Sequence, residues 1–150
     1  MSMRIFGKWI SIISRFSGIY YSEHMESLGL SSGQYIFFLC ICDHPGLTQD
    51  ELAAELAFNK STVARVVASL EKNGFVERRV NPQDKRAVNL YPTQRAEEIS
   101  PRVREILDEW NLRITDGFTS EESDVFEALL IRASENARRH AKLAKEKNKL

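Results

Sequence analysis

The stretch from Gly74 to Thr93, GFVERRVNPQDKRAVNLYPT, limits the possible folds of this chain more than any other. Two runs of strand-forming residues, FVERRV and AVNLYP, flank a polar loop, NPQDKR, which is the pattern of a β-hairpin. A lone two-stranded hairpin is marginal in water, so this one has to lean on helices nearby. Lys85 and Arg86 sit in its loop, where an anionic partner would meet them.

The preceding residues supply the support. In LTQDELAAELAFN, Thr48 and Glu51 make a capping box, acidic residues fill the first turn, and Leu52, Ala53 and Leu56 give a narrow apolar face. After the short break AFN, Asn59 caps a second helix, NKSTVARVVASLEKNGF, which Gly74 stops. Val63, Val66, Val67 and Leu70 form its buried stripe. Lys60, Ser61, Thr62, Arg65, Ser69 and Lys72 occupy the opposite face. A capped helix, a tight break and a second helix with a small, hydroxylated, basic face is a helix-turn-helix whose second helix enters the major groove of DNA. The hairpin then becomes its wing, packed through Val76, Val88 and Leu90, with an arginine at the tip suited to a narrow minor groove.

Charge supports this reading. The chain has no net charge, yet Asn59 to Arg95 carries eight Lys/Arg against three acids, while Ala96 to Glu135 carries four against eleven. A neutral total thus conceals a basic patch of the kind a polyanion needs.

Outside this unit the sequence predicts long apolar helices. Ile5, Trp9, Ile12, Phe16, Ile19 and Tyr20 recur at spacings of three and four, widened by Ile13 and Tyr21, so a helix is expected from about Arg4 to Ser27. A second spans Ser32 to Asp43, with Ser31 and Gln34 as a capping box and Pro45 and Gly46 as its stop. Thr93 caps a helix carrying Ile99, Val103, Ile106, Leu107, Trp110 and Ile114, which Pro101 should kink. Thr119 and Glu122 cap the last, with Val125, Phe126, Leu129, Leu130 and Ala133. The first and last two helices present more apolar surface than one small domain covers, which makes a homodimer the economical solution. The basic end, RRHAKLAKEKNKL, is expected to be a frayed, solvated tail rather than a second DNA contact.

The stretch LTQDELAAELAFNKSTVARVVASLEKNGFVERRVNPQDKRAVNLYPT resembles the winged helix-turn-helix of the MarR (multiple antibiotic resistance regulator) family, and the flanking helices match that plan over essentially the whole chain. Its most specific element is the D-x-R of the wing, Asp84 and Arg86. The resemblance implies that Arg86 reaches the minor groove while Asp84 holds the wing by ion pairing. It also implies a homodimer on a palindromic operator, repression, and release by a small effector, often an aromatic acid. The helix after the wing opens with TQRAEE, where the family frequently has a glycine.

The expectations are therefore as follows. The fold class is mainly α with a small β wing: one domain over 1–150, with dimerisation helices at 1–30 and 94–143, the winged helix-turn-helix at 31–93, and a basic tail at 144–150. The candidate contacts to double-stranded DNA are Thr48, Gln49, Lys60, Ser61, Thr62, Arg65, Arg78, Asp84, Lys85 and Arg86. Candidates to line an effector cleft are Trp9, Phe16, Tyr20, His24 and Tyr35, with core packing the default reading of every one.

Rival readings have less behind them. There is no phosphate loop, GxSxG or HExxH, and His24, His44 and His140 lie far apart, so catalysis is not expected. A winged-helix protein-interaction module would not need the basic face. Peroxide sensing would need a reactive thiol, but Cys40 and Cys42 lie in an apolar helix beside Asp43, and metal sensing lacks a ligand pair at i, i+4. No cofactor or metal is expected. Arg15 and several serines interrupt WISIISRFSGIYY, so no membrane span is expected and the protein is read as soluble and cytoplasmic.

Overall fold

The computed structural model describes residues 2–147. The elements are α1 (Phe6–Met25), a single 3-10 turn (Glu26–Leu28), α2 (Tyr35–Asp43), α3 (Gln49–Leu56), α4 (Lys60–Lys72), β1 (Val76–Val80), β2 (Val88–Pro92), α5 (Gln94–Ile114) and α6 (Ser120–Lys147). The protein is mainly helical with one antiparallel hairpin, as expected. It divides into two compact units, residues 1–110 and 111–150.

Local signals account for most of the boundaries. Thr48 Oγ1 accepts from Glu51 N at 3.1 Å while Glu51 Oε2 accepts from Thr48 N at 3.3 Å, closing the capping box of α3. Asn59 Oδ1 accepts from Thr62 N at 2.8 Å at the start of α4. That helix ends where Gly74 takes φ +80°. There Gly74 N donates to Glu71 O and Phe75 N to Leu70 O, at 3.0 and 2.9 Å, a glycine-dependent double closure. Thr93 Oγ1 accepts from Ala96 N at 3.3 Å in α5 and donates to Gly74 O at 2.6 Å, tying the two helix ends together.

The core of the first unit gathers Met25, Phe37, Phe38, Ile41, Leu52, Val63, Val67, Leu70, Phe75, Leu90, Val103 and Ile106, all buried. The wing joins it through Phe75, Val76 and Leu90. Val88 is only half-buried and its partner Val80 is 62% exposed, because this pair closes the far end of the hairpin, beyond the helices. The expectation that Val88 packs into the core is corrected accordingly.

Two other boundaries differ from expectation. α2 begins at Tyr35 rather than Ser32: Gln34 Oε1 does accept from Ser31 N at 3.1 Å, but Gln34 Nε2 donates to Ser69 Oγ at 2.8 Å, and the residues between form a turn. α6 runs through Lys147, so the described part of the basic end continues that helix. Residues 148–150 of the expected tail lie outside the described residues. α5 continues through Pro101.

Both units expose apolar helix faces. On α1, Phe6, Trp9, Ile10, Ile13 and Phe16 are exposed at helical spacing; on α6, Val125, Leu129 and Leu130 are. At the start of the second unit Thr119 and Glu122 form the expected capping box, and Phe118 meets Phe126 edge-on at 5.7 Å.

Candidate nucleic-acid interface

α4 shows solvent the face expected of it. Val63, Val67 and Leu70 are buried and Val66 half-buried, while Lys60, Ser61 and Arg65 are exposed and Thr62 is half-buried. Ser69 belongs elsewhere: its hydroxyl accepts from Gln34, so it faces α2 rather than the outer surface. Alanines at 64 and 68 keep the exposed face low, so a bound surface can approach the backbone closely.

The wing tip is folded by short polar contacts. Asn81 N donates to Ala87 O and Ala87 N to Asp84 O, each at 3.0 Å, and Asn81 Oδ1 accepts from Gln83 N at 2.9 Å. Asp84 Oδ1 accepts from the backbone N–H of Arg86 at 3.0 Å. Among the described residues Asp84 takes part in no ion pair of 4.0 Å or less. Its carboxylate therefore shapes the turn that carries Arg86 by accepting a backbone hydrogen bond, where the family resemblance implied ion pairing. Lys85 and Arg86 are both exposed.

A cleft of about 440 Å³ lies between the wing and the first turn of α3, with Thr48, Gln49, Arg78, Asp84 and Arg86 on its walls beside Asp50. Lys60, at the first turn of α4, reaches Asp50 at 3.5 Å. The starts of α3 and α4 and the wing tip thus border one concave surface. Arg78 is anchored there by Glu71 at 2.9 Å, which fixes its guanidinium on the α4 side of the hairpin. The structure brings together Thr48, Gln49, Lys60, Arg78, Asp84 and Arg86; Ser61, Thr62 and Arg65 continue along α4, and Lys85 extends from the tip.

Sequence reasoning missed what holds the wing to this surface. The segment Gly46–Thr48 pairs with β2: Gly46 N donates to Leu90 O at 2.7 Å and Leu90 N to Leu47 O at 2.8 Å, with Thr48 bridging Asn89. The Asn89 side chain donates to Gly46 O at 2.5 Å. On the same hairpin Arg79 lies over the Tyr91 ring at 4.2 Å and pairs with Glu77 at 3.3 Å. The polar Asn89 in an otherwise apolar return strand was the one available signal.

The five aromatic and histidine candidates do not form one cluster. Trp9 and Phe16 lie on the exposed face of α1, 56% and 54% exposed. Tyr20 stacks on His24 at 3.9 Å and on Trp110 at 4.8 Å, and His24 Nδ1 donates to Tyr20 O at 2.8 Å. Tyr35 lies apart from them, against Tyr21 at 4.7 Å, on the wall of a second cleft of about 440 Å³ between α1 and the turn before α2.

Burial pushes both thiols up, Cys42 to about 11. Arg104 does approach Cys42 and pairs with Asp43, a cation the sequence reading did not place there, but its pull is smaller than the cost of burial. Among the described residues no three His, Cys, Asp or Glu side chains are grouped to hold a metal ion, and no helix is long and apolar enough to cross a membrane.

Comparison with known proteins agrees with this architecture. The MarR family sequence model matches residues 30–88. The chain is similar to the uncharacterized HTH-type transcriptional regulator YybA of Bacillus subtilis (strain 168), 31% identical over 140 residues and covering 93% of each chain. It is similar in structure to a MarR transcriptional regulator from Methanosarcina mazei Go1, with a TM-score of 0.83 and 27% identity over 89% of this chain and 96% of that one. It is also similar to a MarR-type protein from Listeria monocytogenes complexed with 26mer DNA, with a TM-score of 0.85 and 27% identity over 89% of each chain. Thirty-one per cent identity sustained across nearly the full length of both sequences, together with the family's own signature over the winged unit, places this chain in the MarR family of transcriptional regulators.

Proposed function

We propose that this regulator is a cytoplasmic repressor that binds a palindromic operator as a homodimer and leaves it when a small effector binds. The observation that carries the DNA reading is the concave surface on which Arg78 and Arg86 meet the first turn of α3, with Lys60 of α4 paired to Asp50 on its wall. Thr48 and Gln49 stand at the start of α3, where the helix N-terminus favours a phosphate. Arg65 on α4 suits base edges, and Arg86 on its ordered turn suits the minor groove. The Listeria monocytogenes relative, solved with 26mer DNA, supports this use of the fold.

The dimer reading rests on the uncovered apolar faces of α1 and of α6, each too large for a solvated helix. Two copies related by a dyad would place two α4 helices about one helical turn apart on the duplex. Effector release fits a cleft between α1 and the start of α2, because a ligand there would act on the junction between a dimer helix and the winged unit. The family consists of transcriptional regulators rather than enzymes.

A fluorescence-anisotropy titration on duplex DNA in rising salt tests the reading. Neutralisation of several phosphates should make log affinity fall linearly with log salt, with a slope near −0.9 per phosphate. Absence of binding, or affinity indifferent to salt, would favour a protein-interaction module on the same fold.

A further inference from the structure

The second cleft is built from uncharged groups alone. Tyr21 is buried and Tyr35 half-buried, their ring centroids 4.7 Å apart and the rings tilted by 55°. Each phenol carries a hydroxyl that can donate or accept. Ser17 Oγ already accepts from Trp110 Nε1 at 2.7 Å, so its own proton is left to give. Among the described residues the hydroxyls of Ser14 and Ser32, also on the walls, have no protein partner. The cleft thus offers both donors and acceptors.

What it lacks is a counter-charge. Among the described residues no Lys, Arg or His lines it. Arg15, next to Ser14 in sequence, turns back along α1 to Ser11 Oγ at 3.3 Å. Burial raises both phenols, and no cation contributes to lower either, so they stay neutral. A carboxylate entering this cleft would lose water without gaining an opposite charge, whereas an amide or phenol would exchange its hydrogen bonds with water for equivalent ones.

Resting on the effector-release reading above, we propose that the Tyr21–Tyr35 cleft takes an uncharged planar molecule carrying both a hydrogen-bond donor and an acceptor, an aromatic primary amide being the simplest form, and discriminates against aromatic carboxylates. This departs from the aromatic-acid effector that the family resemblance implied. The volume, about 440 Å³, suits a ligand of one or two rings. Gly18 forms part of the wall and a Cβ there would meet nothing within 4 Å, so a larger side chain can occupy the ligand's space without disturbing the helix.

The test uses the full chain in calorimetric titrations with matched probes, benzamide against benzoate and nicotinamide against nicotinate, alongside release of bound DNA. Each amide should bind at least about tenfold more tightly than its acid, a difference of about 1.4 kcal/mol. Gly18→Leu should lose about tenfold in amide affinity while holding DNA within about twofold of the parent, and Tyr35→Phe, which removes one donor, should lose severalfold. An acid that binds as tightly as its amide overturns the charge assignment, even if it releases DNA and so upholds effector release. Amide binding that leaves the DNA complex intact upholds the ligand class and removes effector release. Amide affinity unchanged by Gly18→Leu, or no saturable binding of any probe up to about 10 mM, overturns the site itself.

Discussion

Replacing Asp84 by alanine and by asparagine separates its two effects on the wing. On charge alone, either substitution should strengthen binding to DNA, because a negative group beside a polyanion is removed. At about 7 Å from a phosphate in water, with screening at physiological salt, that relief is about 0.3 kcal/mol. Against it stands the bond from Arg86 N to Asp84 Oδ1, 3.0 Å long and exposed, which orders the turn before Arg86 is used. Losing such a bond costs about 1 kcal/mol, and here the loss is felt as ordering that DNA must then impose. Alanine should therefore weaken binding by a net of about 0.7 kcal/mol, roughly threefold. Asparagine keeps the acceptor and sheds the charge, so it should bind as tightly as the parent or up to about twofold more tightly. Fluorescence anisotropy of both variants on one duplex across a salt series measures the difference. If alanine binds as well as asparagine, the turn needs no anchor and Asp84 is only a solvated charge.

Three further outcomes follow from the geometry. Ile13→Glu with Phe16→Glu should shift a dimer toward monomer or aggregate in light scattering, since both lie on the exposed apolar face of α1; a dimer unchanged by four added charges would place the interface elsewhere. Gly74→Ala should cost about 1 kcal/mol or more in denaturant unfolding, because φ +80° disfavours any Cβ even though the nearest atom, Arg95 Nη1, lies at an ordinary 3.5 Å. With its pKa raised by burial to about 11, Cys42 should be about 0.1% thiolate at pH 8, and so should alkylate on the order of a hundredfold more slowly than free cysteine, accelerating as pH rises toward 11; fast labelling at neutral pH would reopen thiol sensing.

How much was legible in the sequence depended on the range of the interaction. Thr48 with Glu51, Asn59 with Thr62, and Thr119 with Glu122 are contacts across three residues, so the caps and the helices they open were readable directly. Gly74 was readable for the same reason. The start of α2 was misplaced because Gln34 divides its amide between Ser31, three residues away, and Ser69, thirty-five residues away, which no local pattern records. The strand-like pairing of Gly46–Thr48 with β2 is too short to leave a periodicity, so the anchoring role of Asn89 was not seen. On α1, residue type chose Tyr20 and His24, but helix phase decides which neighbour each ring meets. One position further along, 100° around the axis, Tyr21 reaches Tyr35 while Tyr20 turns to Trp110. The role of Asp84 was assigned by resemblance, and only the folded loop shows its carboxylate accepting from a backbone N–H.

The central claim is that two copies of this chain read DNA through α4, and selection of bound duplexes from a random pool tests it most directly. The account predicts enrichment of an inverted repeat whose half-site centres lie about 10 bp apart or a multiple of that. Arg65→Ala should relax discrimination within each half-site by roughly 1 to 3 kcal/mol while leaving affinity for random duplex almost unchanged. A pool that enriches no repeat, or an Arg65→Ala protein that selects the same sites with the same preference, would contradict it.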